Sequence, residues 1–347
     1  MSTVLVTGAS GFVAKHLIGQ LLEAGYDVRG TVRGQNKVPG IWAAVDALAP
    51  GKAAQLELVE ADLLSDAGWA GAMIGVDAVM HVAAAILGVE PKNPDVVVRP
   101  AVEGTERVLR FAHAAGVKRV IMTSSIATVG YGHGHVTGKR IYTEEHFTDL
   151  GAMRHSWAYC MGKTKAERAA WAFADANGME LTTIHPGAIL GPALDPEASI
   201  SLGMVTGLLD GSTPAMPRIG FAISDVRDVA AMHLAALQKP ESIGQRYLCT
   251  SPFTRYDEVA AILRRAYPDR PITVKSVPDW IIRLMVPFNG TIRQIINDIG
   301  NEKHFDGSKG ERLLGRPYHT PEEAVLSAAD SALRFGLVKP ASTKVTA

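Results

Sequence analysis

The chain opens on a short apolar run, Val4 to Thr7, which ends in a glycine-rich turn. An amphipathic stretch follows from Phe12 to Ala24 and is closed by Gly25. The alternation then repeats. Asp27 to Val32, Leu56 to Glu60, Ala78 to Ala83 and Arg119 to Thr123 read as further strands, and a long helical stretch from Asp95 to Ala115, ended by Gly116, precedes the last of them. Short strands separated by helical patterns predict βαβ units, and so a parallel sheet covered on both faces. Right-handed crossovers then make a doubly wound α/β arrangement the economical topology.

Gly130 to Arg154 reads as a polar loop, Ser156 to Ala176 as a helix, and Leu181 to His185 as a strand broken by Pro186-Gly187. Past Gly191-Pro192 the pattern loses its regularity. A helix is expected near Ser201 to Leu209, a short strand near Ile219, a helix over Val226 to Leu237 and a strand over Arg246 to Cys249. A helix over Asp257 to Ala266, a strand near Ile272 to Lys275 and helices as far as Phe335 complete the reading. Residues 1–192 are therefore expected to form mainly one α/β domain, with 226–249 returning to it. Residues 193–225 and 250–338 form a smaller lobe over the carboxyl edge of the sheet, and 339–347 a flexible tail.

Composition narrows the function. Lys+Arg and Asp+Glu number 35 each in 347 residues, so the formal charge is zero, and a nucleic-acid partner lacks the basic excess it would need. With 47% hydrophobic and 20% charged residues, the chain reads as globular rather than disordered. Cys160 and Cys249 are too few for a disulfide scaffold. The first residues carry no secretory pattern and no apolar run is long enough to span a bilayer, so a cytoplasmic protein is expected.

Two constellations carry chemistry. Thr7-Gly8-Ala9-Ser10-Gly11-Phe12-Val13-Ala14 lies between the first strand and the first helix, where glycines let the backbone approach a pyrophosphate at a helix N-terminus. The spacing is Gly-x-x-Gly-x-x-Ala. No acid ends the second strand to accept from a ribose 2′-hydroxyl. Arg33 stands there instead, with Lys37 close behind, and a guanidinium matches a 2′-phosphate, so NADP(H) is the expected cofactor. The second constellation is Tyr159-Cys160-Met161-Gly162-Lys163, whose i and i+4 side chains share a helix face. An ammonium beside a phenol lowers its pKa toward neutrality, which suits proton transfer to a carbonyl. The fifth strand ends Met122-Thr123-Ser124-Ser125, at the edge where an open α/β sheet presents its crevice, so Ser125 is placed to hold the same oxygen.

With these stretches the chain resembles an extended short-chain dehydrogenase/reductase, of the branch that holds dihydroflavonol reductases, cinnamoyl-CoA reductases and microbial aldehyde or ketone reductases. The matching stretches include VLVTGASGFVA, HVAAA, RPAVEGT, VIMTSSIATV, YCMGKTKAE, HPGAILGP, SDVRDVA and GQRYLC, between residue 4 and about residue 249. The resemblance implies a Rossmann-type NADP-binding domain with a smaller substrate lobe, and an NADPH-dependent reductase acting on an apolar or aromatic aldehyde or ketone. It makes Ser125, Tyr159 and Lys163 the catalytic residues, with Tyr159 as the acid in reduction and Lys163 also holding the nicotinamide ribose. It assigns Gly8, Ser10, Gly11, Phe12, Val13, Arg33, Lys37, Asp62, Leu63, Val82, Ala83, Ala84, Thr123, Pro186, Gly187, Ala188 and Ile189 to the cofactor. Fold analogy places Ile86, Leu87, Ile126, Met204, Leu208 and Phe221 about a substrate pocket, with ordinary core packing as the alternative for each. A nucleotide-sugar epimerase or dehydratase using NAD, a hydroxysteroid-type dehydrogenase and a non-catalytic cofactor sensor share the fold and stand as rivals.

Two departures from the branch bear on the substrate. Gly130 replaces the polar residue with which plant flavonoid reductases read a hydroxylated ring, and Tyr131 to Arg140 has no counterpart. His133 and His135 in that loop lack a third ligand in register, so no metal is expected. Cys160 reads as a packed thiol, and Trp157 and Trp171 as core or interface aromatics. Either a monomer or a homodimer is expected.

Overall fold

The structure is a computed structural model and describes residues 2–84, 89–134, 139–197 and 201–339. Its strands are β1 (Thr3–Val6), β2 (Asp27–Val32), β3 (Leu56–Glu60), β4 (Ala78–His81), β5 (Arg119–Thr123), β6 (Arg140–Tyr142), β7 (Glu180–Pro186), β8 (Ala188–Leu190), β9 (Gly220–Asp225), β10 (Arg246–Cys249), β11 (Phe253–Arg255) and β12 (Lys303–Phe305). The helices are α1 (Phe12–Glu23), α2 (Val38–Leu48), α3 (Trp69–Ala72), α4 (Asp95–Ala114), α5 (Ala158–Asn177), α6 (Leu202–Leu209), α7 (Val226–Gln238), α8 (Tyr256–Ala266), α9 (Asp279–Met285), α10 (Gly290–Ile295), α11 (Ser308–Leu314) and α12 (Pro321–Arg334).

The central sheet is parallel, with strand order β10-β7-β5-β4-β1-β2-β3. Because β1 feeds β2 on one side while β4 lies on the other, the order reverses beside β1, and the crevice of such a sheet opens there. Both faces are covered, which is why the strands read as continuous apolar runs. Val4, Leu5 and Val6 are all essentially without exposed surface. On one face Leu17, Ile18 and Leu21 of α1 pack with Val229 and Met232 of α7. On the other, Val108 of α4 and Ala166 of α5 pack over Val79, Val120 and Leu181. A Cβ at Gly162 would lie 3.4 Å from the Ala101 Cβ, so the glycine lets α5 lie close against α4, which sets how α5 crosses the strand ends.

The chain leaves the central sheet at Gly187. Here β7 runs one residue beyond the expected break, through Pro186, and β8 pairs in parallel with β9 in a second sheet ordered β11-β9-β8. Leu190, Val205, Leu208, Ile223 and Leu263 form the core of this smaller lobe together with α12. Several elements differ from the sequence reading. No strand forms over 272–275; only an isolated bridge between Met216 and Ser276 follows it. The expected loop from Gly130 to Arg154 contains β6, which pairs in parallel with the distant β12. Helix α2, which the sequence pattern does not single out, carries Pro39 in its first turn, where proline is tolerated. Apart from Lys339, the expected tail lies outside the described residues. No helix among the described residues is long and apolar enough to cross a membrane.

Candidate active site

The glycine turn is built for a close approach. Gly8 has φ +70°, where only glycine is unstrained, and a Cβ there would press to 3.0 Å from that of Ala83. Thr7 fixes the facing strand end: its hydroxyl oxygen accepts from the N–H groups of Val82 (3.0 Å) and Ala83 (2.9 Å). With both lone pairs used, that hydroxyl must donate to Nδ1 of His81 at 3.1 Å. His81 is therefore neutral, with Nε2–H directed at the Thr105 hydroxyl (3.2 Å), and burial lowers its pKa to about 3. The N-cap Gly11 offers no side chain to the helix, and the first turn of α1 carries no acid. Its leading N–H groups thus have no side-chain acceptor among the described residues, the arrangement by which a helix N-terminus can receive an anion.

Two of the side chains expected to react, Tyr159 and Lys163, line a cleft beside this turn. Tyr159, Gly162 and Lys163 of α5 share it with Leu63, His81, Ala83, Ala84 and Thr123. Lys163 is buried and its Nζ donates to the Thr123 carbonyl at 2.9 Å. Burial pulls that ammonium down to about 8, and the carboxylate of Glu167 opposes the shift. Ser125 is buried at the start of the 126–128 turn, where its Oγ accepts from the Ala127 N–H at 3.1 Å. The Tyr159 ring keeps part of its surface open, yet desolvation of its hydroxyl raises the phenol above its ordinary value, against a hydrogen bond from Ser125 that lowers it. This corrects the expectation of a phenol drawn down by its lysine. Lys163 donates to the strand end, and burial prevails at Tyr159, which favours the neutral phenol.

Residues 4–249 match the model of the NAD dependent epimerase/dehydratase family. The chain belongs to that family. Among its relatives, cinnamoyl-CoA reductase 1 of Arabidopsis thaliana is 35% identical over 86% of this chain and 84% of that protein. Dihydroflavonol 4-reductase of Zea mays is 34% identical over 77% of this chain and 75% of that one. The solved yeast methylglyoxal/isovaleraldehyde reductase, complexed with NADPH, is 25% identical and has a TM-score of 0.77 over 97% of this chain and 100% of that chain.

Within this family member, the two cations expected at a 2′-phosphate differ. Arg33 is exposed at the end of β2 and has no partner among the described residues. Lys37 is paired with Glu197 at 2.9 Å. Asp62 turns the chain after β3, accepting from the Leu64 N–H at 3.0 Å. Val13 is buried, so only the backbone of that position is open to a ligand. Ser10 and Phe12 are part-buried beside it, Val82 is likewise, and Pro186 to Ile189 carry the crossing between sheets.

Of the expected substrate residues that are described, Leu208, Met204 and Phe221 meet in the smaller lobe and Ile126 lies in a separate cluster. Leu208 is fully buried in the lobe's core, with Met204 and Phe221 packed on the same cluster, and Ile126 packs with Val129, Tyr142 and Leu248. None of these four is among the residues that line the cleft beside Tyr159. Ile86, Leu87 and His135 lie outside the described residues. What borders Tyr159 is Trp157, ring to ring at 5.3 Å, itself set against Tyr131 at 5.2 Å. The place over Gly130 is filled by Phe305, to which a Cβ would approach within 2.7 Å. His133 donates to the Val129 carbonyl at 2.9 Å, and no three His, Cys, Asp or Glu side chains among the described residues form a metal cluster. Cys160 is buried, its thiol directed at the Ala127 carbonyl and pushed up to about 12 by burial.

The sequence pattern assigns no role to His81, which lines the cleft, or to Glu167, His185 and Arg246, which are buried behind it. Glu167 had a signal: it follows Lys163 at the same four-residue spacing by which Lys163 follows Tyr159.

Proposed function

We propose that the chain is an NADPH-dependent carbonyl reductase that interconverts an aldehyde or ketone with its alcohol. The observation that carries this reading is the meeting of Tyr159, Lys163 and the Thr123 carbonyl in one cleft with Ala83, across from the Gly8 turn. The donors present fit a dinucleotide: N–H groups at the start of α1 for a pyrophosphate, and Arg33, unpaired among the described residues, for a 2′-phosphate. When bound, the nicotinamide supplies the hydride.

The chain's own residues do the rest. Tyr159 holds a proton that burial keeps on its oxygen at neutral pH, and gives it to the carbonyl oxygen as charge develops there. Ser125 orients that oxygen through a hydroxyl fixed at the head of its turn. Lys163 keeps a positive charge near the phenolate that proton transfer leaves behind. The relatives named reductases, and the NADPH complex of the yeast enzyme, support the same reading. An apolar or aromatic substrate is favoured by the Trp157 and Tyr131 rings beside Tyr159 and by Phe305 over Gly130.

A panel of aliphatic and aromatic aldehydes and ketones, with NADPH oxidation followed spectrophotometrically, tests the activity. Tyr159→Phe is expected to lose turnover by about 100-fold or more while its affinity for NADPH stays within about twofold. Retained turnover would overturn the proton-donor role. Purified protein that carries tightly bound NAD and does not oxidise NADPH would favour an epimerase instead.

A further inference from the structure

Behind the cleft lies a charged group that the proposed chemistry does not use. Glu167 sits on α5 one turn beyond Lys163, with essentially no exposed surface. Its carboxylate accepts from Ser124 Oγ at 2.6 Å, from Arg246 Nε at 2.8 Å and from the Trp171 indole at 3.4 Å, and it faces His185 Nε2 at 3.0 Å. Apart from Trp171 of α5 itself, these partners come from three neighbouring strands: Ser124 just past the end of β5, His185 near the end of β7 and Arg246 at the start of β10. Arg246 extends the network to the turn that carries Ser125. It donates to the His146 carbonyl at 2.8 Å and to Thr128 Oγ1 at 3.3 Å, while Thr128 donates through Oγ1 to the Ser125 carbonyl at 2.9 Å.

A buried carboxylate with this many partners is costly to build, because desolvation consumes much of the attraction it gains. A packed apolar residue would tie α5 to the sheet at lower cost. What an apolar residue cannot supply is negative charge close to Lys163.

Among the described residues, the groups that face Lys163 are few. From β4 comes His81, which is neutral; from the end of β5, the Thr123 carbonyl; from α5 itself, Tyr159 and Glu167. Val97 and Ala101 of α4 are apolar. The groups that face Glu167 are His185, Arg246, Ser124 and Trp171. Of all these, Glu167 alone offers Lys163 a negative charge.

We infer that Glu167 is a positioning residue of this site: its buried carboxylate, pinned by Ser124, His185 and Arg246, holds the charge on Lys163 and fixes the strand ends that carry Ser125. It touches no reacting atom and acts through those two residues. The inference builds on the role proposed for Lys163 but is measurable without turnover.

The test follows the Lys163 Cε resonance across pH in protein labelled at lysine, assigned by its loss in Lys163→Met. In Glu167→Gln the amide keeps the shape and loses the charge, so Lys163 should release its proton about one pH unit lower than in the wild type. In Arg246→Gln the carboxylate is less neutralised, so release should move up by about half a unit. Glu167→Asp retains the charge and should leave the titration within about 0.3 units. A merely structural role would not produce shifts of opposite sign. Where Glu167→Gln fails to accumulate, Arg246→Gln and Glu167→Asp decide the matter by the same criterion. A Lys163 titration that stays fixed, or moves the same way in Glu167→Gln and Arg246→Gln, overturns the inference. Absence of NADPH-dependent turnover in the wild type would count against the reductase reading and leave this result standing.

Discussion

At the scale of single residues, the cofactor's identity depends on which cation is free to act. Arg33 and Lys37 are equivalent as sequence, two cations just beyond the second strand. The fold separates them by giving Lys37 a carboxylate partner, Glu197, and leaving Arg33 exposed with none among the described residues. A 2′-phosphate at Lys37 must displace or share that partner, whereas a phosphate at Arg33 gains a forked, charge-assisted contact outright. Arg33→Ala is therefore expected to weaken NADPH binding by roughly 10- to 100-fold and NADH binding by less than about twofold. Lys37→Ala should weaken NADPH binding by only about threefold. Titrating each variant with both dinucleotides by cofactor fluorescence checks this, and equal losses of NADPH and NADH at Arg33 would remove the 2′-phosphate assignment.

At the scale of elements, what could be read from the chain was whatever local pattern dictates. Strands β2, β3, β5 and β10 have the bounds their apolar runs indicate, and α5 brings Tyr159 and Lys163 to one face as their spacing requires. Pairings between distant segments left no such mark. Strand β6 is three residues long and partners β12 more than 150 residues on, so neither carries enough alternation to stand out. The buried charges were hidden for a related reason: Glu167 and Arg246 look like ordinary surface residues until the fold brings them 2.8 Å apart. Gly187 lies between these cases. It reads as a strand breaker, but its function is to turn the chain from one sheet to the other. Its N–H donates to Ser224 Oγ at 2.8 Å, and a Cβ there would fall 1.9 Å from the Ala222 carbonyl oxygen. Gly187→Ala should force β8 from β9 and lower stability by about 2–3 kcal/mol in urea unfolding. A loss under about 0.5 kcal/mol would show that the crossing tolerates a side chain, contrary to the packing described.

At the scale of the whole molecule, the histidines set the response to acid. His16, on the buried face of α1, is lowered to about 4; His81, at the crevice, to about 3; and His233, beneath Thr123, to about 4, with desolvation the main cause each time. Each is satisfied in its neutral form. His233, for instance, donates from Nδ1 to the Val229 carbonyl at 2.7 Å and accepts at Nε2 from the Thr123 hydroxyl at 2.7 Å. In the unfolded chain the same rings take up a proton near pH 6.5. Between that value and about 4 the unfolded state binds more protons, so stability must rise with pH and is progressively lost as pH falls. Each ring contributes up to about 1.4 kcal/mol per pH unit in that window, and three acting together about 4. Set against a typical total stability of about 5–15 kcal/mol, this predicts cooperative unfolding between about pH 6 and pH 4. Glu167, whose carboxyl the imidazole of His185 and the guanidinium of Arg246 hold below its ordinary range, steepens the loss at the acid end of the window. Urea midpoints measured at pH 7, 6 and 5 should fall with growing slope, and His233→Asn, which removes one ring, should flatten the curve by about a third. Midpoints that stay level from pH 7 to pH 5 would mean that these rings reach water in the folded protein, and so that the core beneath the crevice is looser than its hydrogen bonds imply.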